Sequence, residues 1–324
     1  MRKVILTFDY ELFLGKKSGS AENSILKPTN EIIRLLKKYN AKAIFFVDTT
    51  YLLALKRFNH PDLEIISRQL KEIIAIGSSI ELHLHPQWMD AEPKGDDEWK
   101  FKSFEHYRLH SLKDNEIVKL FNEAQNLLIA ITGIKPIAFR AGGWSITPFQ
   151  PLKKAFLEND IKIDMSVLGG FSQNELPLHY YDFLNAPNKE FYKFENDVLI
   201  ENPQGNFLEI PVTTFEMHGF DLVLNTVINK LKKEKCFGDG KGLKSSGVRG
   251  NRIKRAFSKN LRKATIENQS SYMFKKALKQ IKNREILSYV MHPKTLSQTS
   301  LTNFEYLLQN FKTLNSQDLL KEFF

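Results

Sequence analysis

The chain has 324 residues, 42% of them hydrophobic, which is enough for one large domain or two ordinary ones and excludes the disordered and fibrous classes. No window approaches the ~18 consecutive apolar residues of a membrane span, the N-terminal apolar run is too short for a secretory segment, and the lone Cys236 excludes an internal disulfide and a thiolate-only zinc site, so a cytoplasmic protein is expected. The net charge of +10 is local: Lys230 to Lys282 holds 17 Lys and Arg against 3 acids, a net of +14, leaving −4 for everything else.

Short β-branched or aromatic runs alternate with helical patterns along most of the chain. "KVILTFD" (3–9) predicts a strand, and "KPTNEIIRLLKKYN" (27–40) a helix with Pro28 or Thr29 near its start. "AKAIFFVD" (41–48) predicts a strand, residues 62–77 a helix closing on Gly77, and "SSIELHLH" (78–85) a third strand. Residues 113–133 form a helical pattern, "KPIAFRAGG" (135–143) a strand running into a glycine turn, and 148–161 another helix. "KIDMSV" (162–167), "FLEIPVTT" (207–214) and "ILSYVMHP" (286–293) supply further strands. This alternation predicts a distorted α/β barrel of seven or eight parallel strands in a single domain spanning 1–324, with a basic helical insertion at about 230–282.

The polar residues gather at strand ends, which in a parallel barrel share one rim: Asp9, then His83 and His85, Arg140, Asp164 and His292. His83 and His85, two apart on a strand, face one way and suit a transition ion such as Zn²⁺; a satisfied core pair has the same pattern. Asp9 and Glu11 share that spacing, so that one is a candidate ligand and the other a candidate base. Arg140 is placed to hold one of these acids ionised, and Gly142 and Gly143 allow close backbone approach to a substrate. His292, before Pro293, is a candidate general acid that Asp164 would orient. "HYRLH" (106–110) carries a second histidine pair without a nearby apolar run to bury it, and is expected to be accidental. His60, His179 and His218 are expected to be structural or exposed, with "FEMHGF" (215–220) a candidate for the groove wall.

Taken in order, these stretches resemble the polysaccharide deacetylases, carbohydrate esterase family 4 with the NodB-homology fold. "TFDYE" (7–11) resembles the family's first motif, "HLHP" (83–86) the second, "FRAGGW" (139–144) the third, "DMS" (164–166) the fourth and "MHP" (291–293) the fifth. Two departures are visible: Tyr10 stands where the common first motif has a second aspartate, and the spacing of the common second motif points back from His85 to Glu81 rather than to His83. The resemblance implies a divalent metal, usually zinc, held by His83, His85 and an acid, Glu11 or Asp9, with Asp9 as base, Arg140 beside it, and His292 as acid supported by Asp164. Trp88, Trp144, Gly142, Gly143 and Ser166 are the candidate substrate contacts. The implied reaction removes the N-acetyl group from a sugar of a surface polysaccharide or its precursor, in the branch linked to lipopolysaccharide-type biosynthesis. A related barrel acting on another C–N bond and a non-catalytic glycan- or lipid-binding protein are the alternatives.

In the basic stretch, Gly238, Gly240, Gly242, Gly247 and Gly250 suggest a flexible approach to a helix bearing an apolar stripe of Ile253, Phe257, Leu261 and Ala264. An anionic partner follows from that pattern: a lipid headgroup at the inner membrane face, a lipid-linked glycan or a nucleotide sugar. A solvated cationic helix fits equally well, and nucleic acid is the weaker class because no recognition motif accompanies the charge.

Overall fold

The computed structural model of the protein describes residues 2–15, 17–95, 98–176, 178–243 and 256–324. The strand β1, Lys3–Tyr10, is followed by the helix α1, Lys27–Tyr39, and by β2, Ile44–Asp48. Helix α2, Thr49–Arg57, starts directly from β2 because the Asp48 side chain caps it, accepting from the Tyr51 backbone N–H at 3.3 Å. Then come α3, Asp62–Ala75, and β3, Ser79–Leu84, followed by a hairpin of β4, Ala91–Lys94, and β5, Glu98–Phe101. The next elements are α4, Asp114–Thr132, β6, Ala138–Ala141, α5, Gln150–Glu158, and the two-residue β7, Ile163–Asp164. A second hairpin joins β8, Ser172–Glu175, to β9, His179–Asp182.

The chain continues through β10, Tyr192–Phe194, β11, Phe207–Glu209, and β12, Thr214–His218, to α6, Gly219–Lys232. After it stand β13, Lys259–Lys263, α7, Ser271–Gln280, β14, Ile286–Met291, α8, Gln298–Asn310, β15, Lys312–Leu314, and α9, Ser316–Phe323.

One nine-stranded sheet carries the fold, in the order β10-β11-β7-β6-β3-β2-β1-β14, with β15 paired to the start of β1. Its pairings are parallel except for β10 against β11. The sheet curls, and backbone bonds from Thr213 to Ser288 (3.0 Å) and from Val290 to Ala264 (3.1 Å) bridge from the β12–β13 side to β14. This is the distorted barrel expected from the alternation of elements, its parallel strands enclosing a narrow apolar cluster of Ile5, Ile44, Phe46, Ala138, Ile163, Met165, Leu208 and Ile210. A larger cluster fills the space between sheet and helices, with Val4, Leu6 and Phe8 supplied by β1. Alternation along β1 therefore places Ile5, Thr7 and Asp9 on the inner face and Val4, Leu6, Phe8 and Tyr10 on the outer.

Two expectations change. The run 207–214 does not stay one strand: β11 stops at Glu209, and β12 starts at Thr214 as the partner of β13. The basic helical stripe is corrected as well, because Leu261 lies in β13, its side chain close against Gly170, and Ala264 is buried. The edge offered by β12 recruits these residues into a hairpin, whose period of two overrides the helical spacing. Ile253, Gly247 and Gly250 lie outside the described residues.

Candidate active site

The inner-face side chains at the carboxyl ends of β1, β3, β6 and β14 meet in one pocket of about 330 Å³. Glu11 follows Asp9 by one more step of two beyond β1. Tyr10, between them, turns outward and donates to Gln69 at 2.8 Å, so its place in the first motif cannot supply a ligand. From β3, His83 and His85 aim both Nε2 atoms at Glu11 Oε2, at 3.2 and 2.8 Å, and the two nitrogens lie 3.0 Å apart. His83 Nδ1 donates to the Arg140 carbonyl at 2.8 Å, which directs its Nε2 to the pocket. The His85 backbone N–H donates to Thr50 at 2.8 Å, and Gly142 packs so closely on His85 that a Cβ would come within 2.7 Å of its Nδ1.

Donor atoms of Glu11, His83 and His85 thus lie within 4.8 Å of one another. Two imidazoles and a carboxylate, all buried and open to a pocket on one side, fit a divalent ion of the zinc type. Glu81 is not part of this group. It accepts from the backbone N–H groups of Ile137 and Ala138 at 2.8 Å each and from the Ser316 hydroxyl, and burial pushes its carboxyl up to about 7.

Asp9 stands beside the cluster. Arg140 Nη1 donates to its Oδ1 at 2.6 Å, and His292 Nε2 is 3.4 Å from its Oδ2. Arg140 is itself fully buried, donating to Met165 O at 3.0 Å and Thr7 Oγ1 at 2.7 Å with Phe46 beneath its guanidinium. Burial opposes charge on Asp9, but Arg140, His83 and His292 outweigh it and hold the carboxyl below its ordinary value. Burial likewise opposes charge on Glu11, where Lys294 and His85 prevail and hold it well below the ordinary range. On His83 burial disfavours the proton, yet the Glu11 hydrogen bond and the Asp9 charge raise its pKa to about 9.

Several expected roles change. The carboxylate on His292 is Glu267, which accepts from the His292 backbone N–H and lies 2.7 Å from Nδ1. Asp164 instead accepts from the Ser166 N–H (3.1 Å) and hydroxyl (2.7 Å). The reason is parity: Ile163, Met165, Leu208 and Ile210 face inward, so Asp164 and Glu209 face outward. Ser166 is fully buried and accepts from the Ala141 N–H at 2.8 Å, which makes it a brace between strands and not a substrate contact.

Trp88 is also buried, donating to Asp48 at 2.6 Å and packed on Tyr51, Trp99 and Phe101, so it is core. Trp144 and Gly143 do line the pocket. Trp144 holds a left-handed φ of 64°, uncommon for so large a side chain, and Lys263 Nζ sits 5.2 Å from its ring centre. His106 and His110 do not converge: the first bonds Ser111 at 3.1 Å, the second Pro148 O at 2.7 Å. His60 pairs with Asp62 at 3.6 Å, His218 is exposed, and His179 reaches the pocket wall beside Tyr107.

Sequence reasoning missed Glu267 and Lys294. Lys294, buried, donates to Glu11 Oε1 at 2.9 Å and to Leu12 O at 2.6 Å; its adjacency to "MHP" was the available signal. Glu267 gave none, lying in a stretch dominated by lysine and arginine. Of the glycines expected to be flexible, Gly238, Gly240 and Gly242 instead belong to a packed strap over residues 237–243. Lys241 N–H bonds Lys17 O at 2.8 Å, Gly238 N–H bonds Lys294 O at 3.0 Å, and Gly242 and Leu243 reach the pocket. Asp239 anchors the strap on Ser20, Asn23 and Ser24; against the cost of burial, those bonds hold its carboxyl down to about 2.

The family described as Polysaccharide deacetylase matches residues 1–148, the span that contains Asp9, Glu11, His83, His85 and Arg140. No curated protein matches the sequence. Among solved structures, a provisionally assigned polysaccharide deacetylase from Mycobacterium smegmatis aligns with a TM-score of 0.52 at 12% identity, covering 99% of this chain and 88% of the other. A 4-alpha-glucanotransferase from Thermococcus litoralis aligns with a TM-score of 0.51 at 10% identity over 99% of this chain and 38% of its own. At such identities the structures speak to the fold alone, and the curled parallel sheet is common to them. Over residues 1–148, a little under half of its length, the chain is therefore similar to the polysaccharide deacetylases.

Proposed function

We propose that this protein is a metal-dependent hydrolase that removes the N-acetyl group from a sugar of a surface polysaccharide or its precursor. The observation that carries this reading is the meeting, in one pocket, of the Glu11–His83–His85 donor set with a carboxylate held by an arginine and a histidine held by a carboxylate. Zinc, or a similar divalent ion on those three donors, would polarise the amide carbonyl and make water a nucleophile near neutral pH.

The chain's own groups handle the protons. Asp9, kept ionised by Arg140, accepts the proton of the attacking water. His292 Nε2, on the same side of the pocket, delivers a proton to the departing amine nitrogen, without which an amide anion would have to leave. Glu267 fixes the Nδ1 side of that imidazole, so that Nε2 is the atom presented to substrate. The partly exposed Trp144 offers a flat apolar face for a sugar ring.

The test is acetate release from N-acetylated oligosaccharides and nucleotide sugars with zinc supplied, alongside a panel of cyclic ureides. We expect turnover with at least one acetylated sugar and none with the doubly substituted His83→Ala/His85→Ala protein. Turnover that survives the double substitution, or turnover confined to ureides, would overturn this assignment.

A further inference from the structure

We propose that the outward face of α6 is a docking surface for an anionic lipid bilayer. The helix is amphipathic in the reverse sense from one that meets only water on its outer side. Its inward side carries a polar stripe beside Leu222, which packs against the core. Asp221 is buried and engages Lys276 and the Tyr272 hydroxyl. Asn225 accepts from the Ser270 N–H and hydroxyl at 2.8 Å each, and Asn225 and Asn229 both donate to Asn268 O, at 2.9 and 2.8 Å. These three residues, four apart, form one stripe.

The outward face is apolar. Phe220, Val223, Val227 and Leu231, at 100° per residue, fall within an arc of about 80°. The Gly219 N–H donates to Ser258 O at 2.8 Å, so the exposed Phe257 lies one residue away from a contact with the start of the helix. These five side chains are between 46% and 86% exposed, so each leaves much of its surface in water.

Charge decides the occupant. Both acids of the segment are engaged inward, Asp221 as above and Glu234 on the Thr299 N–H. On the neighbouring strand Glu216 is paired with Lys259 at 3.2 Å. Exposed Lys230, Lys233 and Lys235 lie at and just beyond the end of the helix, and exposed Lys275 and Lys279 lie on α7, which packs against it. An apolar stripe with a cationic border matches a helix lying in the plane of anionic headgroups. A second copy of this chain is disfavoured, because a symmetric contact would press the two lysine borders together.

Soon after Lys232 the chain enters the strap whose Gly242 and Leu243 line the active-site pocket. The strap thus joins the docking helix to the pocket wall through about ten residues of chain. Vesicle binding needs no turnover, so this proposal and the hydrolase assignment stand or fall separately.

The experiment is co-sedimentation of the full chain with phosphatidylcholine vesicles, with and without about one-third phosphatidylglycerol, at low and high salt. The wild-type protein is expected to bind the anionic vesicles roughly tenfold or more tightly than the neutral ones, with the preference lost at high salt. Val223→Ser/Val227→Ser/Leu231→Ser should reduce that binding about tenfold, and Lys230→Gln/Lys233→Gln should reduce the preference for anionic vesicles, with thermal midpoints confirming that both variants fold. A wild-type protein that stays in solution with both vesicle types overturns the proposal. So does a triple variant that binds as tightly as wild type, or a wild-type dimer that the triple substitution dissociates.

Discussion

Two buried carboxylate pairs lie on opposite faces of the same sheet, and they have opposite character. On the inner face, Asp9 and Glu11 meet Arg140, Lys294 and three imidazoles, and both carboxyls are held below their ordinary values. On the outer face, Asp164 and Glu209 lie close enough to act on each other, with Arg140 as a lesser influence, and burial raises both. Burial alone therefore does not decide whether an acid is available to chemistry; the number of cations converging on it does. In the proposed function the inner pair binds an ion and takes a proton, whereas the outer pair, its carboxyls raised by burial, is suited to a structural role.

The largest effect that sharpens this contrast is expected at Asp9. Asp9→Asn should lower kcat by roughly a thousandfold while leaving zinc binding, measured by competition with a chromophoric chelator, within a few-fold of wild type. Unchanged turnover would remove Asp9 from the role of base.

Next comes Glu267→Gln, which keeps the shape but weakens the hold on His292; a loss of about ten- to a hundredfold in kcat with little change in KM is expected. A change confined to thermal stability would make Glu267 structural only.

A smaller effect of opposite sign is expected at Lys294. Its ammonium repels any cation sharing Glu11, so Lys294→Met should tighten zinc binding about tenfold, whereas Lys294→Arg should not. Equal affinities for the wild-type, Met and Arg proteins would show that this lysine does not tune the site.

The smallest effect on catalysis is expected at the outer pair. The folded protein holds the Glu209 proton to higher pH than the unfolded chain does, so folding takes up a proton. Stability from this group is present at acidic pH and lost as pH rises from the ordinary carboxylate range toward the folded value. Glu209→Gln should flatten that fall in urea-unfolding curves and leave kcat within about twofold. A pH slope identical to wild type would mean that the pair is ionised after all.

What was legible in the sequence follows the same division of faces. The ends of β1, β3, β6 and β14 could be read because each joins an apolar run to a polar residue, and their convergence follows from parallel pairing. Asp164 was misplaced by a single step of parity, since a two-residue strand offers too short an alternation to assign a face. Trp88 was misjudged because an aromatic residue after "HLHP" has the same letter whether it faces sugar or core; only the packing on Tyr51 and Trp99 distinguishes them. Glu267 reaches His292 through the β12–β13 hairpin, a tertiary arrangement with no local signature. The inverted polarity of α6 likewise shows only when the partners of Asn225 and Asn229 are known.

The pairing of β1 with β14, which aligns Lys3 with Ile286, sets an order of assembly. Glu11, His83 and His85 are all present once the first quarter or so of the chain has been synthesised, but His292 and Lys294 come from near its end. On the proposed reading, a nascent chain carries the donors for an ion long before it carries the acid, and hydrolysis must wait for closure of a contact that spans most of the chain. Appearance of turnover during refolding should consequently report completion of the β1–β14 seam, and recovery of metal affinity alone should not.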